Sequence, residues 1–188
     1  MNDPTLDAHE HAEHAEHAAL EHDPFISRVT ITIAVLAVLA AVAGSLETVE
    51  GGKAITGSSE AVLAQDKATD AWNEYQADSL KRHMYEIAAD NNTTHGDAYR
   101  REAISQRAGQ DKARQIATED EKERDRLTAE SATHEARHHW LTGAATLLEI
   151  GIALSTVAII TKRRPFWLGA MGLGLMGLAL FAMAYVVV

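Results

Sequence analysis

Three apolar blocks constrain this 188-residue chain more than any other feature. Ile26 to Gly44 reads ISRVTITIAVLAVLAAVAG, with Arg28 as its only charge. Leu141 to Ile160 reads LTGAATLLEIGIALSTVAII, with Glu149 as its only charge. Pro165 to Val188 reads PFWLGAMGLGLMGLALFAMAYVVV and has none. Each has roughly the 20 residues that an α-helix needs to cross a hydrocarbon core about 30 Å thick. The overall composition hides this, since a hydrophobic fraction of 46% is ordinary for a soluble protein. Nothing between the blocks is apolar enough to build a soluble core around them. The expected fold is therefore all-α, with three transmembrane helices and a long extramembrane helical hairpin between the first and second.

The remaining segments follow from composition. Residues 1–25 form an acidic tail with five histidines and seven acids but no Lys or Arg. It holds too few large apolar side chains to make a core, so it is read as disordered. Its lack of a basic leader favours an uncleaved anchor at 26–44 over a signal peptide. Residues 45–57, which contain Gly51, Gly52 and Gly57, read as a Gly-rich linker that breaks the chain after the first span. Residues 58–140 are rich in Ala, Glu, Lys and Gln and suit two helices. They are divided by the turn-forming run DNNTTHGD at Asp90 to Asp97. The apolar residues Val62, Leu63, Trp72, Tyr75, Leu80, Met84 and Ile87 give the first helix only a partial stripe. On the second helix only Tyr99, Ile104, Ile116 and Leu127 stand among alanines, and Gly109 is its weak point. In EDEKERDR, the pairs Asp120–Arg124 and Glu123–Arg126 have the spacing of surface ion pairs. Helices this polar need ion pairs, partner helices or an oligomer to persist, which makes a coiled-coil-like homo-oligomer the expected state.

Short-loop Lys and Arg set membrane orientation. The spans at 141–161 and 165–188 are joined by the basic loop 162–164, Lys162, Arg163 and Arg164, which belongs in the cytoplasm. The N-terminus then lies in the cytoplasm, and the hairpin and C-terminus outside it. Trp140, Phe166 and Trp167 stand at span boundaries, where aromatic rings suit the headgroup level. The region 45–140 has nineteen acids and thirteen bases, so nucleic acid is not an expected partner. Membrane lipid, further copies of the chain and another envelope protein are.

Four features could carry chemistry. HEARH, His134 to His138, matches the HExxH pattern of zinc proteases, in which two histidines one turn apart share a helix face. A catalytic site also needs a third ligand and a water-excluding pocket, and no HxxGxxH continuation follows. His134 and His138 are therefore read as a possible site for zinc or another divalent metal, without catalysis. GLGLMG, Gly172 to Gly177, matches a dinucleotide fingerprint. It lies inside a span rather than in a βαβ unit, so no cofactor is expected. Gly169, Gly174 and Gly177 are read instead as small residues for helix packing. Ala34, Ala37, Ala41 and Gly44 make a similar strip, which predicts that the third span packs on the first or on its own copy in a neighbour. Glu149 breaks the apolar rule at mid-span. A buried acid there costs at least about 2.5–3.5 kcal/mol and calls for a polar partner, water or an ion path.

The segments SRVTITIAVLAVLAAVAGSLE (Ser27 to Glu47), AVLAQDKATDAWNEYQADSLKRHMYE (Ala61 to Glu86) and LLEIGIALSTVAIITKRRPFW (Leu147 to Trp167) resemble bacterial membrane proteins of the domain of unknown function 4337 family. The resemblance implies a three-span helical protein of the bacterial inner membrane and carries over no catalytic residue. Three functional readings stand open: a non-enzymatic structural or interaction module, a metal-binding membrane protein using the tail or His134 and His138, and an ion-conducting bundle around Glu149.

Overall fold

The computed structural model describes residues 24–91 and 94–187. Most of the His-rich tail, part of the turn at Asp90 to Asp97 and Val188 lie outside them. Three helices account for nearly all described residues: α1, Pro24–Asn91; α2, Gly96–Thr161; and α3, Arg164–Val186. No strand occurs among the described residues. All three helices are long and apolar enough to cross a membrane.

The expected break at 45–57 does not occur, because α1 runs through it for 68 residues without interruption. Glycine weakens a helix only by about 1 kcal/mol per residue. Leu46, Glu47, Glu50, Lys53 and Ala54 beside the glycines are good helix formers, no proline intervenes, and Gly57 is used for packing. A Cβ at Gly57 would come within 3.3 Å of Ser131 Cβ.

The chain forms two compact units, one comprising residues up to Thr48 together with Arg137–Val188, the other Val49–Ala136. In the second unit the buried positions of α1 fall at Ala61, Ala64, Ala68, Ala71, Asp78 and Ala89. Those of α2 fall at Ala103, Gln110, Ala113, Ala117, Leu127 and Ser131. On each helix they all fall on one register of alternating three- and four-residue steps, the seam of two helices wound closely together. Leu127 is its one large aliphatic side chain.

Much of the stripe expected from the sequence therefore faces outward, whereas Trp72, Tyr75 and Tyr99 are half-buried and Leu127 is buried. Val62, Leu63, Leu80, Met84 and Ile87 are exposed, as are Ile104 and Ile116 of α2. Alanines occupy the inside because they let the two helix backbones approach, which bulkier residues would prevent. Polar bonds across the seam add to this thin apolar core. Trp72 Nε1–H donates to Glu121 at 2.9 Å, Ser131 Oγ–H to the Ala54 carbonyl at 2.7 Å, and the Arg124 guanidinium to Gln65. Arg124 is thus not paired with Asp120. Its other contact is the adjacent Asp125. Glu123–Arg126 does form, at 2.7 Å. It holds the Glu123 carboxyl below its ordinary range and the Arg126 guanidinium above its own.

In the first unit α3 packs on α2 at backbone distance. A Cβ at Gly177 would lie 3.1 Å from the Ala144 carbonyl, and one at Gly151 3.2 Å from the Ala170 carbonyl. Leu36 of α1 fills the space over Gly174, where a Cβ would approach to 2.7 Å. Leu36, Ala43, Ala145 and Leu148 form the core here. The expected small-residue contact between the first and third spans is corrected in one respect. Ala34, Ala37 and Ala41 face outward, and α1 reaches α3 through a large side chain instead. At one end Trp167 Nε1–H donates to Thr32 and its ring meets Phe25 edge-on. Elsewhere in this unit the Arg137 guanidinium lies over the Tyr185 ring, 5.7 Å from its centroid.

Gly109 has a packing role too: a Cβ there would lie 2.5 Å from Oδ2 of buried Asp78. Helix propensity alone favours Gly109→Ala by about 1 kcal/mol. Crowding of Asp78 reverses the sign, so Gly109→Ala lowers the thermal midpoint of the protein. In an Asp78→Ala background the same change raises it. A thermal-melt double-mutant cycle checks both signs.

Candidate functional site

One groove of the second unit brings ionisable side chains of both helices together. It encloses about 670 Å³ between α1 residues Val49 to Glu60 and α2 residues Arg126 to His134. Small residues make the room, since a Cβ at Gly52 would meet nothing within 4 Å. At its edge stands Glu50, only 5% exposed although it is an acid. A buried carboxylate is tolerable only when paired and hydrogen-bonded. His134 Nδ1–H donates to its Oε2, and Lys53 Nζ, one turn along α1, donates to Oε1 at 3.4 Å. Burial pushes the Glu50 carboxyl up, but the hydrogen bonds from His134 and Lys53 and their charges outweigh it and hold the group below its ordinary value of 4.5.

His138 makes a different contact in the first unit. Its Nδ1–H donates to the Glu47 backbone carbonyl at 3.1 Å. Thr142 Oγ1 lies 2.7 Å from Glu47 Oε1 and 3.0 Å from the His138 carbonyl, two acceptors that share its single proton. A carbonyl can only accept, so this bond places the imidazole proton on Nδ1.

The two imidazoles of the HExxH match thus each use Nδ1 to hold α1. A neutral ring still offers Nε2 to a ligand, and a carboxylate behind Nδ1 is the usual support of a metal-bound histidine. Among the described residues, however, no group of three or more His, Asp or Glu side chains is placed to hold a metal ion. Glu149 lies on the outer surface of the first unit and makes no hydrogen bond or ion pair with any described residue. Gly174 and Gly177 are buried between helices, whereas Gly169 is exposed and close only to Leu154. Glu47 and Glu50 escaped the reading of the sequence. Their one signal was a pair of acids at helical spacing, in a stretch whose glycines suggested a linker.

The lowered Glu50 carboxyl fixes the sign of an acid effect. A group held below its unfolded value stabilises the fold above that value, and the contribution disappears as pH falls through the folded one. The thermal midpoint should therefore fall on acidification below about pH 4.5. Glu50→Gln should flatten that part of the profile. His134→Ala, which leaves the buried acid short of a donor, should destabilise the protein at neutral pH by about 1–3 kcal/mol. Melting curves of the three proteins across pH 3 to 7 check this, the range being chosen to bracket about one unit beyond the usual carboxylate values.

No curated protein and no solved structure matches the chain. The model of a family described as a domain of unknown function, DUF4337, matches residues 25–187. With nearly its whole helical length covered, the chain belongs to the domain of unknown function 4337 family.

Proposed function

We propose that this protein is a non-enzymatic membrane protein that assembles with copies of itself through the outer face of its Val49–Ala136 unit. The observation that carries this reading is the inverted distribution of apolar bulk. Alanines fill the inside, while Ile55 is 72% exposed, Leu80 64% and Ile87 62%. With Val62 and Met84 these residues lie on one face of α1, opposite the alanine seam. Separated by seven-residue steps, Ile55 and Val62 mark one end of this face and Leu80 and Ile87 the other. That is the repeat by which a helix presents itself to another in a coiled coil. A buried alanine contributes far less than a buried Leu or Ile, at about 0.8 kcal/mol per CH₂. Covering the outer face would supply what the inner seam lacks.

The three apolar helices support placement in a membrane, and the resemblance to bacterial membrane proteins supports the inner one. Lys162, Arg163 and Arg164 support a cytoplasmic loop between α2 and α3, which puts the Val49–Ala136 unit on the opposite side. The engagement of His134 and His138 in helix contacts supports a structural use of the HExxH match over a hydrolytic one.

Exposed apolar residues can be exchanged for charges with little effect on an isolated fold, usually within about 0.5 kcal/mol. The double variant Leu80→Glu, Ile87→Glu should therefore remain helical yet lose its oligomeric state. Circular dichroism and sedimentation in mild detergent measure the two properties. A monomeric wild-type protein, or an oligomer of unchanged size in the variant, would contradict the proposal.

A further inference from the structure

The first unit leaves one polar surface without a partner. Along α2, Thr146, Glu149, Ala153 and Thr156 are all exposed. Their steps of three, four and three residues set them on one face of the helix. The hydroxyls of Thr146 and Thr156 are turned onto their own helix, donating to the Thr142 and Ile152 carbonyls at 2.8 and 3.1 Å. The carboxyl of Glu149 has no such outlet, as it makes no hydrogen bond or ion pair.

In a membrane span this is an unstable arrangement. An acid facing lipid at mid-span costs at least about 2.5–3.5 kcal/mol, and such residues ordinarily face a bundle interior or a wet cavity. The other spans offer it no charged side chain and no imidazole. The apolar stretch of α1 from Val29 to Leu46 contains no Asp, Glu, Lys, Arg or His, and neither does α3 from Pro165 to Val187. Copies of the chain inserted in the same direction present the same face in the same register. A two-fold axis through it sets each residue opposite its own copy. Glu149 then meets Glu149, and a carboxyl that keeps its proton donates to the one opposite. Thr146, Ala153 and Thr156 are small enough to let the backbones approach.

We propose that the Thr146–Glu149–Ala153–Thr156 face of α2 is a parallel interface between two copies of this chain within the membrane, closed by a hydrogen-bonded pair of Glu149 carboxyls. The proposal rests on the reading of α2 as a membrane span, not on the outer face of the Val49–Ala136 unit, which is a separate surface.

The absence of cysteine makes a direct test available. Ala153→Cys in the full chain is oxidised in native membranes and the cross-linked dimer quantified. Val38→Cys, on an exposed position of α1, is the control. The expected result is a strong dimer band for Ala153→Cys and little for Val38→Cys. Adding Glu149→Val should lower the Ala153→Cys yield about tenfold, the weight of one interhelical hydrogen bond in a membrane. Glu149→Gln, which can still donate and accept, should retain most of it. Equal bands at positions 38 and 153 would overturn the proposal, and so would a yield indifferent to Glu149→Val. Running the cross-link also in the Leu80→Glu, Ile87→Glu background separates the surfaces: a persistent band there supports the span interface even where the other contact is lost.

Discussion

Close approach between helix backbones is the constraint on which both units depend. Helices carrying large side chains at their contact pack about 8–10 Å apart, and smaller residues bring the axes to the lower end of that range. Here the contacts are made by the smallest residues. In the Val49–Ala136 unit the seam is alanine with Gly57 and Gly109, and in the other it is Gly151, Gly174 and Gly177 with Ala144 and Ala170. The polar contacts follow from this proximity. Ser131 reaches the Ala54 carbonyl, His138 the Glu47 carbonyl, and Thr142 the Glu47 carboxylate only because the backbones lie close. With small residues along both seams, many of the larger apolar side chains lie outside, although Leu36, Leu141 and Leu148 are buried in the first unit and Leu127 in the second. For a span, lipid can take them. For the Val49–Ala136 unit, we propose another protein surface as the complement.

The three apolar helices were legible because periodicity is unnecessary for them: length and absence of charge suffice. The turn was legible from Asn, Thr and Gly. The inner face of the hairpin was not, because the reading assumed that the largest apolar residues mark the buried stripe. Positions 61, 64, 68 and 71 carry the interior with alanine, a residue that also appears on exposed helix surfaces for its propensity alone. Nothing in side-chain size distinguishes the two uses. Only the unbroken three–four spacing does, and it continues through Tyr75 to Asp78, which an apolar pattern would not include.

The Gly-rich stretch was misread for a related reason. Glycine marks breaks and also close helix contacts, and Gly57 belongs to the second kind. Taking 45–57 as a linker removed Glu47 and Glu50 from consideration, and with them the groups that His138 and His134 touch. The predicted turn held a partial remedy. A chain that reverses near position 93 brings the forties and fifties of α1 beside the 130s of α2, and an acid in that stretch is a natural partner for a histidine there. Glu149 was legible as an exception but not in its direction. That it faces outward depends on which side of α2 the glycines of α3 claim, a matter of packing rather than composition.

The account turns on whether the outer face of α1 meets a copy of itself. Pulsed electron–electron resonance on a single spin label gives the most direct answer, since a monomer has no second spin to report. Asp66→Cys places the label on that face, midway between Ile55 and Leu80, in a chain otherwise without cysteine. In native-like lipid the account predicts a resolved intermolecular distance that disappears on dilution with unlabelled protein. A featureless decay at all labelling ratios would contradict it.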